Sequence, residues 1–240
     1  MKLIAPESRI LLPTGMSPAT WRESVYRQIE AAARTCYRSE PSQTTQGAED
    51  FVRKIVRSGH DAMLEHVPIS VQFTVDRGIT HELVRHRLAS FAQESTRYCN
   101  YSNGKFEGGI RCVSIMGGIA YDSTFQTMSP GRIEMILSEF TQACSDAEAH
   151  YLAMLELGCS PQIARSVLPT ATAAELLITA NVREWRHIFE LRALGTTGQP
   201  HPQMMEVMIP LLKRLAELLP ACFDDLAEDL ARREKDDDVD

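Results

Sequence analysis

ISVQFTVDRGITHELVRHRLASFAQESTRY, residues 69–98, passes from an alternating apolar segment through a short helical segment into a polar loop. Its first part alternates apolar and polar side chains. The apolar side chains on one face are Ile69, Val71, Phe73 and Val75. Such alternation is typical of a strand that buries one face. The sequence therefore predicts a strand over 69–75, followed by a short helix that Thr80 caps at its start.

A basic triplet, Arg85-His86-Arg87, lies on this short helix and leads into a segment rich in hydroxyl and amide groups. Guanidinium groups bind phosphates through paired hydrogen bonds, and hydroxyl groups add further donors. This pattern predicts a site for an anionic nucleotide or a nucleotide cofactor. The alternative is a solvated helix face. The first interpretation is favoured because the triplet lies where a strand and a helix give way to a loop.

Helical geometry limits how the two arginines of the triplet act. On a regular helix, side chains two positions apart point roughly 200° away from each other. Arg85 and Arg87 therefore cannot grip one phosphate from the same face. We expect them to serve two ligands, two parts of one ligand, or two subunits.

Length and composition limit the class of protein. A chain of 240 residues with 44% hydrophobic residues can bury a sizeable core, and no linker or repeat divides it. We expect one domain over residues 1–223, followed by an acidic tail over 224–240 that frays.

Charge and hydropathy indicate the kind of partner. The net charge of −7 argues against broad binding of nucleic acid or an anionic membrane, so small anions are the expected ligands. No apolar run approaches the roughly 20 residues of a membrane span, and the N-terminus lacks the pattern of a signal peptide. We expect a cytoplasmic protein.

Metal and phosphate-loop motifs are missing from the sequence. The six cysteines are dispersed without a Cys-x-x-Cys pair, which argues against a disulfide framework or a structural zinc site. His81 and His86 lie five positions apart, about 140° around a helix, whereas two helical ligands of one metal need a spacing of four. We therefore expect no metal. Without Gly-x-Gly-x-x-Gly or a P-loop, side chains must hold any nucleotide, outside a Rossmann unit.

Helices and strands alternate in the rest of the chain without a strict βαβ repeat. Pro18 begins a helix that ends near residues 37–39, and Ser129-Pro130 begins the longest helix, which ends before Gly158. A second interior strand is predicted over 171–179.

NVREWRHIFELR, residues 181–192, predicts a helix that Asn181 caps. Its periodicity places Arg183, His187 and Glu190 on one face, opposite an apolar face. We interpret the polar face as a second ligand wall. The alternative is an ordinary amphipathic helix with its charges in solvent.

Several blocks together resemble one family. They are Arg85-His86-Arg87 with Ser95 and Arg97-Tyr98, AARTCYRS (32–39), GHDAMLEH (59–66), QIARSVLP (162–169) and NVREWRHIFELR (181–192). The chain resembles the flavin-dependent thymidylate synthases, with the blocks in family order. The resemblance implies an α+β fold in which helices flank a mixed or antiparallel sheet. It also implies a homotetramer with active sites at subunit interfaces, so that Arg85 and Arg87 face different ligands.

The resemblance also assigns site residues. The residues implied to contact FAD are His60, Arg85, His86, Arg87, Gln93, Asn181, Arg183 and His187. The residues implied to contact dUMP are Glu82, Arg85, Gln93, Glu94, Ser95, Thr96, Arg97, Arg165 and Arg192. Arg192 is the implied catalytic residue, since a cation against the uracil ring stabilises negative charge at N3 and O4.

The implied reaction converts dUMP to dTMP, with 5,10-methylenetetrahydrofolate as the carbon donor. NADPH reduces the FAD, which delivers hydride, and the pyrimidine is activated by polarisation. Nothing in this chain resembles the cysteine nucleophile of the other thymidylate synthase class. Ser95 is expected to donate a hydrogen bond to the substrate, because no base that would activate it is recognisable beside it.

Two departures from the family pattern concern single contacts. Glu82 stands where many members have glutamine, and Ala92-Gln93-Glu94 replaces the commoner Asn-Glu-Gln order. A carboxylate only accepts hydrogen bonds, whereas an amide also donates them.

Three alternatives to a thymidylate synthase are a binding module for flavin or nucleotide without turnover, a relative that hydroxymethylates pyrimidine nucleotides, and a metal-dependent nucleotide hydrolase.

Overall fold

The computed structural model describes residues 1–104 and 108–237. Its strands are Lys2–Ile4 (β1), Glu7–Leu11 (β2), Pro68–Asp76 (β3), Ala89–Gln93 (β4), Arg111–Val113 (β5) and Ala173–Asn181 (β6). Parallel pairing joins β1 to β5, and the order of the second sheet is β2-β3-β6-β4. The predicted α+β class, with an antiparallel sheet flanked by helices, is confirmed.

The helices in the described residues vary from one turn to 27 residues. They are Pro18–Tyr37 (α1), Thr45–Arg57 (α2), Arg77–Leu83 (α3), Ser123–Gln126 (α4), Pro130–Glu156 (α5), Pro161–Ala164 (α6), Val182–Arg192 (α7), Pro202–Leu218 (α8) and Pro220–Asp237 (α9). Short 3-10 helices cover Asp61–His66, Gly118–Tyr121 and Arg165–Val167. Within the described ranges, no helix is both long enough and apolar enough to cross a membrane.

The described residues form two compact units, and each consists of several chain segments. Unit 1 contains Met1–Ser8, Gln72–Arg85 and the described part of 91–177. Unit 2 contains Arg9–Val71, His86–Ser90 and the described residues from Ile178 onward. Because both units draw on separated segments, neither corresponds to a contiguous domain. A single domain over 1–223 therefore stays a prediction.

Strand β3 has the predicted alternation. The side chains of the predicted inner face, Ile69, Val71, Phe73 and Val75, are all at most 1% exposed. Burying a side chain of this size contributes about 1.5–3 kcal/mol relative to leaving it in water. The predicted strand at 171–179 lies two residues later, at Ala173–Asn181, and also alternates between buried and half-buried positions.

The short helix after β3 begins earlier than predicted, so two expectations about it were wrong. The carboxylate of Asp76 accepts a hydrogen bond from the backbone N–H of Ile79 at 2.8 Å and caps α3, whereas Thr80 is fully buried inside the helix. The helix ends at Leu83, before the basic triplet. The angle of roughly 200° between side chains two positions apart on a helix therefore does not apply to Arg85 and Arg87. Both arginines are exposed, and His86 between them is buried.

The C-terminal segment is more ordered than the sequence predicts. Helix α9 continues to Asp237, with Leu226 and Leu230 only 7% and 3% exposed. The carboxylate of Asp225 accepts two hydrogen bonds from the Arg186 guanidinium, at 2.7 and 2.8 Å. These contacts explain why the chain is helical from 224 to 237 despite its acidic composition. Residues 238–240 lie outside the described part.

Candidate functional site

Helix α7 presents a polar face in unit 2, as predicted. The side chain of Asn181 accepts a hydrogen bond from the backbone N–H of Glu184 at 2.8 Å and caps the helix. The opposite face is buried and consists of Val182, Trp185, Ile188 and Phe189. Burial of this face turns the side chains of Arg183, His187 and Glu190 towards a cavity.

This cavity, here called the α7 cavity, has a volume of about 570 Å³. Its polar lining includes Asp61, Glu65, Asn181, Arg183, His187 and Glu190. Carboxylates accept hydrogen bonds from ligand hydroxyls, whereas guanidinium and imidazole N–H groups donate to phosphates and carbonyls. The lining therefore suits a ligand that has both hydroxyl and anionic groups.

Two arginines of α7 differ in how firmly the protein holds them. Arg183 pairs with Glu65 at 2.5 Å, but both side chains are about half exposed, and such pairs contribute little to stability. Arg183 can therefore exchange this partner for a ligand. Arg186 donates to the carboxylate of Asp225 and to the carbonyl of Cys222, the latter at 2.6 Å. Arg186 lines the cavity, but these bonds give it a structural role.

His86 and Arg192 are hydrogen-bonded to each other. Arg192 Nε donates to His86 Nε2 at 3.2 Å, and His86 Nδ1 lies 3.6 Å from Glu184 Oε1. The His86 ring is also 6.1 Å from the His187 ring, measured between centroids. Burial, together with the nearby charges of Arg192 and His187, lowers the pKa of His86 to about 4. His86 is therefore a neutral imidazole at neutral pH.

Glu184 is a site residue that the sequence analysis missed. It is only 6% exposed, and burial raises the pKa of its carboxyl group above the usual range. Its position in the first turn of α7, among solvated charges, resembled an ordinary surface glutamate. The available signal was its place three residues after Asn181, where the helix buries one face.

The predicted residues divide between the two units. Unit 2 contains His60, His86, Arg87, Asn181, Arg183, His187 and Arg192. Unit 1 contains Glu82, Arg85, Gln93, Glu94, Ser95, Thr96, Arg97 and Arg165. In unit 2, His60 and Arg87 are exposed, and neither belongs to the lining of the α7 cavity within the described residues.

In unit 1, Gln93 ends strand β4 and residues 94–97 form the polar loop that the sequence predicts, and several of these side chains have partners within the unit. Arg165 Nη1 donates to the Thr96 hydroxyl at 3.1 Å, and Arg97 Nε donates to the Gln162 amide oxygen at 3.2 Å. Gln93 donates from its amide to the Thr80 hydroxyl at 3.0 Å. Thr96 is buried, whereas Arg97 and Arg165 are exposed. Arg165 thus donates to the residue before Arg97, and Arg97 donates to a residue three positions before Arg165. The two exposed guanidinium groups therefore lie on neighbouring segments.

The loop turns sharply after Ser95. The Ser95 carbonyl accepts hydrogen bonds from the backbone N–H groups of Tyr98 and Cys99, at 3.1 and 2.9 Å. The Arg97 guanidinium lies 5.3 Å from the Tyr98 ring centroid, and this ring is 77% exposed. The turn therefore leaves a cation and an aromatic ring together at the surface.

Glu94 uses its carboxylate inside the protein. Glu94 Oε1 accepts from the Tyr101 hydroxyl at 2.9 Å, and Oε2 accepts from the backbone N–H of Glu175 at 3.3 Å. Arg111 Nη2 lies 3.8 Å from Glu94 Oε2 and 3.3 Å from Glu175 Oε1. These contacts indicate that Glu94 anchors the loop. A direct contact between Glu94 and a substrate stays a prediction.

Glu175 and Arg111 were also missed by the sequence analysis. Glu175 accepts hydrogen bonds from the hydroxyl of Thr74 at 3.0 Å and from the amide of Gln72 at 3.2 Å. The sequence did contain a sign of its role, because Glu175 is the one carboxylate in the otherwise mostly apolar strand AAELLITAN. Among the described residues, no group of three or more His, Cys, Asp or Glu side chains is arranged to hold a metal ion.

We predict that Tyr101→Phe lowers the free energy of unfolding by about 1–3 kcal/mol, because it removes a donor from a partly buried carboxylate. Tyr101 is 4% exposed, and burial followed by the charge of Glu94 raises the pKa of its phenol. Urea unfolding measures the change. The control is Tyr37→Phe at a side chain that is 78% exposed, where we expect less than about 0.5 kcal/mol. Equal stabilities of the two variants would contradict the anchoring role of Glu94.

Comparison with known proteins identifies the family. The family model described as "Thymidylate synthase complementing protein" matches residues 22–221. A flavin-dependent thymidylate synthase of Mycobacterium avium is 31% identical over 204 residues, covering 82% of this chain and 78% of that protein. The chain belongs to the flavin-dependent thymidylate synthase family. A second member of this family, from Mycobacterium marinum, is 30% identical over 232 residues, covering 94% of this chain and 88% of that protein.

The fold of this flavin-dependent thymidylate synthase family member agrees with a solved structure. A UMP/dUMP methylase, PolB from Streptomyces cacaoi, bound with 5-Br dUMP, superposes with a TM-score of 0.73 at 21% identity. The match covers 93% of this chain and 96% of that chain. The resemblance recognised in the sequence is thereby confirmed at the level of family and fold.

Proposed function

We propose that this protein converts dUMP to dTMP, using 5,10-methylenetetrahydrofolate as the carbon donor, FAD as the hydride carrier and NADPH as the reductant. The observation that carries the proposal is the family match over residues 22–221, which contains every candidate site residue. The relatives are named flavin-dependent thymidylate synthases, and the structural neighbour is named a UMP/dUMP methylase. The site geometry adds residues suited to each ligand.

The residues of the α7 cavity fit a flavin nucleotide. Arg183 and His187, both about half exposed, would donate to its phosphates or ring carbonyls, and Asp61 and Glu65 would accept from its hydroxyls. The N-terminus of α7 adds a partial positive charge favourable to an anion. Bound FAD, once reduced, would supply hydride to the C6 side of the pyrimidine.

The polar loop of unit 1 would bind the nucleotide substrate. Arg97 and Arg165 are exposed, permanently charged and suited to paired hydrogen bonds with phosphate or with pyrimidine oxygens. Thr96 is buried and accepts from Arg165, which limits the orientations open to that guanidinium. Ser95 would donate to dUMP as a hydrogen-bond partner and would not attack it.

Arg192 would activate the pyrimidine by polarisation. A guanidinium group beside the uracil ring stabilises the negative charge that develops at N3 and O4. His86 Nε2 accepts a hydrogen bond from Arg192 Nε, and a neutral imidazole does not cancel the positive charge of the guanidinium. Burial raises the pKa values of Cys112 and Cys144, and that of Cys222 to about 12, which argues against these three thiols as nucleophiles. These thiols stay protonated at neutral pH.

We extend the proposal to assembly and location, where the family resemblance implies a cytoplasmic homotetramer with active sites between subunits. Exposed Arg85 and Arg87, on either side of buried His86, support a role for the two arginines towards different ligands. Mass photometry of the FAD-loaded protein tests the assembly. A stable monomer with full activity would contradict it.

The decisive test is the product formed from dUMP. The FAD-loaded protein is incubated with dUMP, NADPH and methylenetetrahydrofolate labelled in its one-carbon unit, and the nucleotide product is identified by mass spectrometry. We expect labelled dTMP. Labelled hydroxymethyl-dUMP would instead identify a hydroxymethylating relative. Flavin absorbance at about 450 nm without any nucleotide product would identify a binding module.

A further inference from the structure

The C-terminal end of α7 carries Arg192, which is the last residue of the helix. The carbonyl groups of a last helical turn have no partners inside the helix, so other groups must hold this turn in place. The backbone N–H groups of Ala193 and Leu194 both donate to the Phe189 carbonyl, at 2.9 and 3.0 Å. The direction in which Arg192 leaves the helix therefore depends on how firmly the turn through Leu194 is fixed.

Groups from outside α7 bind this turn. Thr196 donates to the Glu190 carbonyl from its backbone N–H at 3.0 Å and from its hydroxyl at 3.1 Å. Arg233 of α9 lies 39 positions after Leu194 and donates from Nη1 to the Leu194 carbonyl at 2.9 Å. A cation at this end of a helix also interacts favourably with the helix dipole. Arg233 thus joins α9 to the turn that directly follows Arg192.

Helix α9 also orients the guanidinium of Arg233. Asp229, one turn earlier in α9, accepts a hydrogen bond from Arg233 Nε at 3.2 Å, while Nη1 reaches the Leu194 carbonyl. The Arg233 side chain is 46% exposed, and ion pairs at such positions contribute little to overall stability. The effect of Arg233 is therefore expected to be local, at the end of α7.

The beginning of α9 is attached to the middle of α7. The Asp225 carboxylate accepts from Arg186 Nη2 at 2.7 Å. The Phe223 ring is 0% exposed and meets the Phe189 ring edge-on, with 5.9 Å between the centroids. Arg186 and Leu194 are separated by about 12 Å at the rise of an α-helix. Attachment at both places restricts the movement of one helix along the other.

We propose that α9 is a positioning element for Arg192, and that Arg233 is the positioning residue that holds the turn after it. This inference rests on the proposed function for the role of Arg192 at the uracil ring. The contacting residues Asp225, Asp229 and Arg233 lie beyond residues 22–221, which the family model matches. The acidic segment, expected from its composition to fray, therefore supports the residue proposed to activate the pyrimidine.

The geometry sets the size of the expected effect. Misplacing a reacting group by about 1 Å can slow a reaction on the order of 100-fold. Without Arg233, the two bonds from Thr196 to the Glu190 carbonyl remain, and Arg192 keeps its bond to His86. We therefore expect a smaller displacement of Arg192 and a loss of about tenfold in turnover.

Steady-state kinetics of Arg233 variants in the FAD-loaded enzyme test the positioning role. We expect Arg233→Ala to lower kcat about tenfold, with KM for dUMP within about threefold, because Arg192 acts on charge that develops in the transition state. Arg233→Lys keeps a cationic donor, so we expect it to recover most of the loss. The matched control is Arg232→Ala, since Arg232 also donates to Asp229 but is 73% exposed. We expect this control to keep its kcat.

A double-mutant cycle shows whether Arg233 acts through Arg192. In the Arg192→Ala background, adding Arg233→Ala should lower kcat by less than about twofold further, whereas independent effects multiply. Multiplying effects would overturn the proposal. So would an Arg233→Ala variant that turns over as fast as the control. Arg233→Met keeps the aliphatic stem without the donors, and it replaces Arg233→Ala in the cycle if the alanine variant is not folded.

Hydrogen exchange gives a readout that does not depend on turnover. We expect the backbone N–H groups of Leu194 and Thr196 to exchange about tenfold faster in Arg233→Ala than in Arg232→Ala, because the turn opens locally. Equal exchange rates in the two variants would overturn the proposal. If the unchanged protein forms no dTMP but the exchange rates differ as expected, the proposed function fails, and Arg233 still holds the turn after α7.

Discussion

Arg192→Ala is expected to keep its FAD and to lose at least ~100-fold in turnover of dUMP, on the scale of removing one group that stabilises transition-state charge. Arg192 is half-buried, and its Nε is held by His86 at 3.2 Å. Loss of the guanidinium removes the cation that we propose stabilises negative charge at N3 and O4 of the uracil ring. Flavin absorbance measures retained cofactor, and single-turnover kinetics measure the chemical step.

The control for Arg192 is Arg232→Ala, which removes a surface guanidinium that is 73% exposed. Its pairing partner Asp229 is itself partly exposed, so little stability or activity is at stake. A normal turnover number for Arg192→Ala would show that its role is wrong, even if dTMP is the product. Loss of FAD from Arg192→Ala would instead assign Arg192 to the cofactor.

Trp185→Ala is expected to lower the free energy of unfolding by about 3–5 kcal/mol, the usual cost of truncating a fully buried aromatic side chain. Trp185 is 0% exposed, its indole N–H donates to the Ile69 carbonyl at 3.0 Å, and its ring stacks on Phe189 at 5.8 Å. The substitution removes the packing that fixes the buried face of α7. Urea unfolding followed by circular dichroism measures the loss.

Trp185→Phe separates the two contributions of this side chain. Phenylalanine keeps an aromatic ring against Phe189 but cannot donate to the Ile69 carbonyl, so a smaller loss of about 1–2 kcal/mol is expected. A loss below about 1 kcal/mol for Trp185→Ala would show that α7 does not depend on this packing. In that case the polar wall of the cavity would need another support.

Local sequence signals predicted the elements whose stability depends on their own residues. Ser17 caps α1, with its hydroxyl accepting from the Thr20 N–H at 3.1 Å, and Pro18 begins the helix as predicted. Asn181 caps α7 in the same way. The alternation of β3 identified its buried face without error. Caps and periodicity act over three or four residues, so one sequence is enough to recognise them.

Boundaries that depend on competition between signals were harder to predict. Asp76 and Thr80 both suit a helix start, and Thr80 was the expected cap. Asp76 caps α3 instead because it follows the strand directly, and Thr80 is needed inside, where its hydroxyl donates to the Arg77 carbonyl at 2.9 Å. The acidic C-terminal segment was similarly misjudged, since its order depends on Arg186 from a distant part of the chain.

The stretch 69–98 thus determined by itself a buried strand, a basic triplet and a polar loop, and its spacing to the other blocks was sufficient to recognise the family. Only the tertiary structure decided which polar side chains are exposed and which form hydrogen bonds inside the protein. It buried His86 against Arg192 and Glu184, and it turned Glu94 towards Tyr101. The physical reason is that burial and hydrogen-bond pairing depend on how chain segments pack, with His86 and Arg192 106 positions apart, and no local pattern specifies that packing.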